Sequence, residues 1–321
     1  MSGLLRRLVA YALVTLAILG PAYLGMGYIV YDHLARVPAE CSAPADSTPA
    51  SFVIEGLDTA AYRVPRYEEV SLPSRDAGID IRAWYLPTEA APADSPAVVA
   101  VHGLGSCRHA PTLLLAAGML RRARVATLLI DLREHGDSAR EDGRHGGGVD
   151  EQRDVLGAWD WVVARGHRPE RIGLLGMSLG AATVLLAAGE EPRVTAVWSD
   201  SSFGSIERAI DDEVARSRYP HLLVPAGLLA ARLFGGDDLT SLSPTRAIAR
   251  MADRAVYLTH GAADRRLCTC YVAELAAALR AAGGSVEPWI VPDSGHVEAI
   301  VRQPAEYERR LVGFFAAALA P

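Results

Sequence analysis

The chain has 321 residues, half of them hydrophobic, and a formal net charge of −6 at pH 7. That length leads us to expect one large domain with additions, and an acidic balance without a basic cluster excludes nucleic acid as an expected partner. Four cysteines are too few for a disulfide-built scaffold, and no Cys-x-x-Cys or His-Glu-x-x-His pattern is present, so neither a metal nor another cofactor is expected.

Residues 8–31 contain no charged side chain. About 20 helical residues cross the roughly 30 Å of bilayer hydrocarbon, so this run is long enough to span it, and Gly20-Pro21 inside it is tolerated in a membrane helix. It reads as an anchor rather than a cleaved secretory signal, because Pro38-Ala39-Glu40 makes a poor cleavage site. Arg6 and Arg7 precede the run, whereas Asp32, His33, Arg36 and Glu40 come after it. The positive-inside rule then keeps the N-terminus cytoplasmic and exports the rest of the chain. Residues 41–51, rich in Pro, Ala and Ser, read as a linker. The expected organisation is a cytoplasmic stub and transmembrane anchor over 1–36, a linker over 37–64 and a folded domain over 65–321.

Within that domain, 67–72 and 79–86 read as a strand hairpin turning at Gly78. From residue 97 apolar strands alternate with helical stretches: 97–101, 125–130, 172–175, 194–198, 256–259 and 286–291. That alternation implies an α/β architecture, a mostly parallel eight-stranded sheet with helices on both faces. The connection over about 204–244 is long for a plain link. Its Val214, Leu222, Leu223, Leu228, Leu229, Leu233 and Phe234 make it apolar, and Pro220 and Pro225 divide it. It reads either as a small helical cap over the site or as ordinary packing on the sheet.

Residues 171–180 read Arg-Ile-Gly-Leu-Leu-Gly-Met-Ser-Leu-Gly. An apolar run stops at Gly176, Ser178 stands alone, and Gly180 opens an alanine-rich helical stretch. Gly-x-Ser-x-Gly between strand and helix is the nucleophile-elbow pattern. So tight a turn brings the two backbones together, leaving no room for side chains at 176 and 180. It also exposes the Ser178 hydroxyl and aims the Leu179 N–H at the same spot. A serine needs a base and the base an orienting acid, in the chain order Ser, Asp or Glu, His. Two strand ends downstream supply candidates. One is His260-Gly261-Ala262-Ala263-Asp264, and the other is Pro292-Asp293-Ser294-Gly295-His296. Asp200, near the end of the 194–198 strand, is a second candidate acid, and Asp293 fits turn chemistry better than catalysis.

These strings together resemble the α/β-hydrolase-fold serine hydrolases of bacteria, often membrane-anchored. They comprise Val101-His102-Gly103-Leu104-Gly105-Ser106, Asp131-Leu132-Arg133-Glu134-His135-Gly136-Asp137-Ser138, the elbow, Ser199-Asp200-Ser201-Ser202-Phe203, the Asp264 loop and Gly295-His296, and the likeness covers about residues 65–320. The resemblance implies a catalytic triad of Ser178, Asp264 and His296, with Asp264 favoured over Asp200. It also implies an oxyanion hole made by the N–H groups of Leu104 and Leu179. His145-Gly146-Gly147-Gly148 spells an esterase oxyanion string more literally, but it lies one strand too late and reads as a loop. Glu134 stands where the family usually has Gly, which puts the local loop shape in question. Asp131 and Arg133 read as a loop-fixing ion pair, and His102, His135 and His260 as backbone-binding imidazoles. Cys107, Cys268 and Cys270 read as free thiols; the alternative, if the domain is exported, is a bond from Cys107 to Cys268 or Cys270, since spacing cannot fix connectivity.

The function expected is a serine hydrolase cleaving a carboxylic ester of an apolar, uncharged small molecule through an acyl-enzyme. A serine peptidase of the same fold is the alternative. A non-catalytic binding module on a hydrolase scaffold is the third reading, disfavoured by the intact Ser, Asp and His set.

Overall fold

The computed structural model describes residues 3–236 and 238–320. The uncharged N-terminal run lies within one long helix, α1 (Gly3–Ala35), which continues through Pro21. It is the one helix among the described residues long and apolar enough to cross a membrane, and its most apolar stretch is covered by none of them. The chain divides into two compact units, Met1–Arg36 with Glu207–Ser241, and Val37–Ile206 with Leu242–Pro321.

The larger unit is built on β1 (Glu68–Pro73), β2 (Asp80–Leu86), β3 (Ala97–Val101), β4 (Ala126–Ile130), β5 (Ile172–Met177), β6 (Ala196–Asp200), β7 (Ala255–Gly261) and β8 (Trp289–Val291). They form one eight-stranded sheet in the order β1-β2-β4-β3-β5-β6-β7-β8. β2 runs antiparallel to both β1 and β4, and every later pairing is parallel. The sheet is therefore mixed, with the parallel part that strand–helix alternation requires. β3, β4, β5 and β6 are buried at every residue, as strands covered on both faces must be.

Successive side chains of a strand point to opposite faces, and the core divides accordingly. Val99 and Val101 face a cluster with Val155 and Trp159 of α3 (Glu151–Ala164) and Val184 and Leu185 of α4 (Leu179–Glu190). Val98 and Ala100 face the other cluster, with Leu113 and Leu120 of α2 (Pro111–Arg122). The C-terminal helix, over Pro304–Ala318, adds Tyr307, Leu311 and Phe315 to that second layer. The last strand is shorter than its apolar run, starting at Trp289 rather than at 286. Pro288 precedes it and has no N–H to give a ladder. β6 instead runs on to Asp200, because Ser199 and Asp200 are paired on both sides, with β5 and with β7.

Residues 37–64 form little regular structure, yet Phe52 and Val64 are buried in the second layer. Cys41 is disulfide-bonded to Cys107, and Cys268 to Cys270. Both readings are thus corrected: no described cysteine is the free thiol expected, and Cys107 is bonded neither to Cys268 nor to Cys270. The segment folds back on the loop after β3, where the Ser42 N–H donates to the Gly105 carbonyl at 3.0 Å. That brings Cys41 beside a partner 66 residues away in sequence.

Closing a loop of that length restricts the unfolded chain most of all. Replacing Cys41 and Cys107 together by Ser is expected to lower unfolding stability by about 2–4 kcal/mol, read as an earlier urea midpoint for the larger unit. The same double replacement at Cys268 and Cys270, which closes a far shorter loop, should cost less.

Candidate active site

Where β5 ends and α4 begins, a side chain has no room. A Cβ on Gly176 would lie 2.2 Å from the Gly180 carbonyl oxygen, and one on Gly180 would lie 2.4 Å from the His102 carbonyl oxygen. Ser178, between them, takes the left-handed φ of +56°, a costly conformation for a residue with a side chain. Its own N–H donates to the Asp200 carbonyl at 2.8 Å, which ties the elbow to the end of β6. Leu179 is the first residue of α4, so its N–H has no acceptor within the helix and is left for another group.

The structure brings Ser178, His296 and Asp264 together. His296 Nε2 is 2.7 Å from Ser178 Oγ, and His296 Nδ1 is 2.7 Å from Asp264 Oδ2. Asp264 lies beyond β7 and His296 beyond β8, so the two loops meet at the carboxyl edge of a parallel sheet, where such folds gather their sites. The Asp264 side chain is shut off from water. Burial pushes its carboxyl up. Hydrogen bonds from His260 and His296, and the Leu267 N–H on Oδ1 at 2.9 Å, outweigh that and hold it well below the usual carboxylate range. The Arg266 N–H also donates to Oδ1, at 2.7 Å.

His260 was expected to bind backbone alone. Its Nε2 does reach the Leu267 carbonyl at 3.0 Å, but it also lies 3.0 Å from Asp264 Oδ2. The signal was in the sequence, since His260 and Asp264 stand four apart across a strand end.

Asp200 is elsewhere. It is the last residue of β6, fully buried, and its carboxylate accepts from Tyr307 Oη and Ser201 Oγ at 2.9 Å each. Tyr307 in turn accepts from Trp198 Nε1 at 2.9 Å. Burial raises the Asp200 carboxyl despite these donors. Asp293 has the left-handed φ of +54° in the turn before His296.

The loop after β3 faces the elbow. A Cβ on Gly103 would lie 3.1 Å from Ser178 Cβ, and Leu104 lines a cavity of about 180 Å³ together with Ser178, His296, Met177, Leu113 and Arg266. His102 braces this loop. Its Nδ1 bonds the Gly103 carbonyl at 2.8 Å and its Nε2 meets the Leu132 N–H at 3.1 Å, the pattern of a neutral ring protonated on Nδ1. Burial pushes its pKa down, consistent with that state.

Asp131 is not paired with Arg133, which corrects the expected ion pair. Asp131 takes the Arg108 guanidinium and the Arg108 N–H, whereas Arg133 pairs with Asp154 and Asp76 at 2.7 Å each. Each arginine gathers more than one carboxylate, because Arg108 also reaches Asp137 at 2.6 Å and Arg133 has Glu141 at 4.0 Å. Glu134 takes the φ of +64° that a glycine would adopt freely, and its carboxylate accepts the N–H groups of Glu141 and Gly143 at 2.6 and 2.9 Å. Those bonds offset the strain, so the loop keeps its turn without glycine.

The string His145-Gly146-Gly147-Gly148 is otherwise engaged. The N–H groups of Gly146 and Gly148 donate to the buried Glu151 carboxylate at 2.8 and 2.7 Å. They hold an internal carboxylate and leave no hole for a substrate oxygen.

Residues 125–321 match the sequence model of the prolyl oligopeptidase family. The uncharacterized protein YfhR of Escherichia coli O157:H7 is 24% identical over 261 residues, covering 79% of this chain and 82% of its own. Among solved structures, the esterase Pf2001 of Pyrococcus furiosus superposes with a TM-score of 0.63 at 18% identity, covering 88% of this chain and 98% of its own. The α/β hydrolase GrgF of a Penicillium species gives 0.64 at 16% identity, with 80% and 100% covered. The fold is that of the α/β-hydrolases.

The two candidate acids predict different losses. Asp264→Asn is expected to lower kcat on the order of 10³–10⁴-fold, whereas Asp200→Asn should chiefly lower the melting temperature. The opposite ranking in a steady-state assay would move the role to Asp200. The depressed Asp264 carboxyl adds stability that is fully present above the ordinary Asp pKa of about 4 and is lost as the pH falls through its folded value. The melting-temperature advantage of the native chain over Asp264→Asn should therefore shrink on acidification below about pH 4.

Proposed function

Since the chain belongs to the prolyl oligopeptidase family and is a serine hydrolase of the α/β-hydrolase fold, we propose that it hydrolyses a small carboxylic ester through a covalent acyl-enzyme. The observation that carries this reading is the imidazole of His296, within 2.7 Å of both the Ser178 hydroxyl and the Asp264 carboxylate. Ser178 Oγ attacks the carbonyl carbon while His296 Nε2 takes its proton. Asp264 keeps Nδ1 protonated and aimed, and stabilises the imidazolium as it forms. The tetrahedral oxyanion is held by the Leu104 and Leu179 N–H groups, each worth about 10²–10³ in rate by analogy with other oxyanion holes. His296 then returns the proton to the leaving alkoxide. Water, activated by the same imidazole, releases the acid and restores Ser178.

Two features favour an ester. An alkoxide departs with less help than an amine does. The residues lining the cavity also include no carboxylate to hold a peptide's ammonium group. At about 180 Å³ the cavity is below the common range of ligand pockets, about 300–1,000 Å³, which favours a short acyl group. Peptide cleavage is the second reading, favoured by the family that the chain matches.

We further propose that α1 spans the membrane with the larger unit outside the cytoplasm. The Cys41–Cys107 disulfide supports that placement, since structural disulfides persist in oxidising compartments.

A fluorophosphonate probe is expected to label the native chain covalently and to leave Ser178→Ala unlabelled. Labelling that survives in Ser178→Ala would overturn the nucleophile, and an unlabelled native chain would support a binding module instead. Against a panel of p-nitrophenyl esters and aminoacyl anilides, short-chain esters should give the highest kcat/KM. Faster anilide cleavage would establish the peptidase reading.

A further inference from the structure

The smaller unit pairs α1 with a 15-residue apolar helical segment, His221–Gly235. Its central helices are α5 (Ile206–Arg216) and α6 (Val224–Ala230), the latter extended by a π-helical turn over Ala231–Gly235. α5 carries Glu207, Arg208, Asp211, Asp212, Glu213 and Arg216 and is amphipathic, burying Val214 with Val30 and Leu223. His221–Gly235 is different, with Arg232 the one charged residue after His221.

Two faces of this segment are apolar. Leu223, Ala226, Gly227, Ala230 and Ala231 recur at helical spacing and are buried, and this small-residue face lies on α1. Contact is at backbone distance, for a Cβ on Gly27 would fall 2.4 Å from the Ala226 carbonyl carbon. Close approach through small residues is how helices pack in lipid. The other face carries Leu222, Leu229 and Leu233 at the same helical spacing, with Phe234 beside them, exposed by 63, 49, 58 and 59%. A helix that is apolar beyond the face it packs with belongs in a protein core or in a membrane; apart from the Tyr28 ring against Phe234 this second surface is left exposed, and Arg232, the one charged side chain in it, is paired with Asp238.

The depth of the contact says which environment fits. Tyr23 Oη donates to the Leu222 carbonyl, and the Tyr28 ring meets Phe234 edge-on with centroids 5.4 Å apart. These residues belong to the end of the uncharged run 8–31. From Tyr23 to Tyr31 is about 12 Å along a helix, less than half the bilayer core of about 30 Å. The segment is too short to cross, and the tyrosines beside it are the residue type that gathers at membrane–water boundaries.

We propose that His221–Gly235 is a second membrane-seated element that lies in the outer leaflet against the end of the α1 span, with Leu222, Leu229, Leu233 and Phe234 in contact with lipid acyl chains. This rests on the reading of α1 as an anchor. It gives the insertion a lipid-facing surface.

The test uses the full chain in phosphatidylcholine–phosphatidylglycerol vesicles, with an environment-sensitive nitrobenzoxadiazole label on single introduced cysteines and nitroxide groups on the lipid acyl chains. Leu229→Cys and Leu233→Cys report on the segment, Ile18→Cys on the middle of α1, and Val53→Cys on an exposed position of the larger unit. Retained fluorophosphonate labelling shows that each variant is folded. The expected result is loss of emission at 229 and 233 comparable to the loss at 18, with none at 53. Loss at 18 but not at 229 or 233 overturns the proposal while leaving the anchor standing, and places protein over that face. Energy transfer between differently labelled copies at 233, with no quenching by lipid, overturns it in favour of a second copy of the chain. No loss at 18 overturns the anchor reading, and the proposal with it.

Discussion

The backbones of β5 and α4 meet so closely at Gly176 and Gly180 that even a methyl group on either would collide with a main-chain carbonyl. That contact forces the turn between them to be sharp, and the sharp turn puts Ser178 at positive φ. Strain of this kind costs about 1–3 kcal/mol and persists only where the surroundings over-determine it. Here the surroundings are the bond from Ser178 N–H to the Asp200 carbonyl and the packing of α4 in the core. The Ser178 hydroxyl is therefore held in place before any substrate arrives, and under the proposed function the first N–H of α4 would be held with it, the preorganisation that oxyanion stabilisation requires.

The loops around the elbow are fixed by charge and by hydrogen bonds to backbone. Arg108 ties the loop after β3 to Asp131 and Asp137, and His102 joins the same loop to Leu132. Asp264 is gripped by two histidines and two amides, so its carboxylate has little freedom to turn from His296. Glu134 and Glu151 do corresponding work farther out, each closing a loop around its own carboxylate. Buried carboxylates with several donors are costly to assemble and, once satisfied, rigid.

Much of this was legible in the sequence. The sheet could be read because β3 and β5 are apolar throughout and β4 nearly so, and the elbow because only glycine fits at 176 and 180. Asp264 and His296 were legible as candidates because each stands a few residues beyond a strand, and the family resemblance set Asp264 above Asp200. What escaped was set by partners distant in the chain. Nothing local in Asp131 tells that Arg108 rather than Arg133 will reach it. Cys41 meets Cys107 only because the segment before the sheet folds back. The strand ending at Asp200 extends over polar residues because both neighbouring strands pair with it there, a tertiary effect that overrides propensity. The glycine-rich string at 146–148 looked like a cradle for an oxyanion, and its N–H groups instead hold the internal carboxyl of Glu151.

The bond between Cys41 and Cys107 closes residues 41–107 into a covalent ring at the start of the larger unit, just beyond helix α1. A proteolytic cut at any one peptide bond between them, for instance at the exposed Val53, would leave the two pieces joined through sulfur. Separating the hydrolase covalently from its N-terminal helix by such a cut would need a reductant as well as a protease, whereas a cut at residues 36–40, before the ring begins, severs that link with protease alone and leaves α1 held by its packing on His221–Gly235.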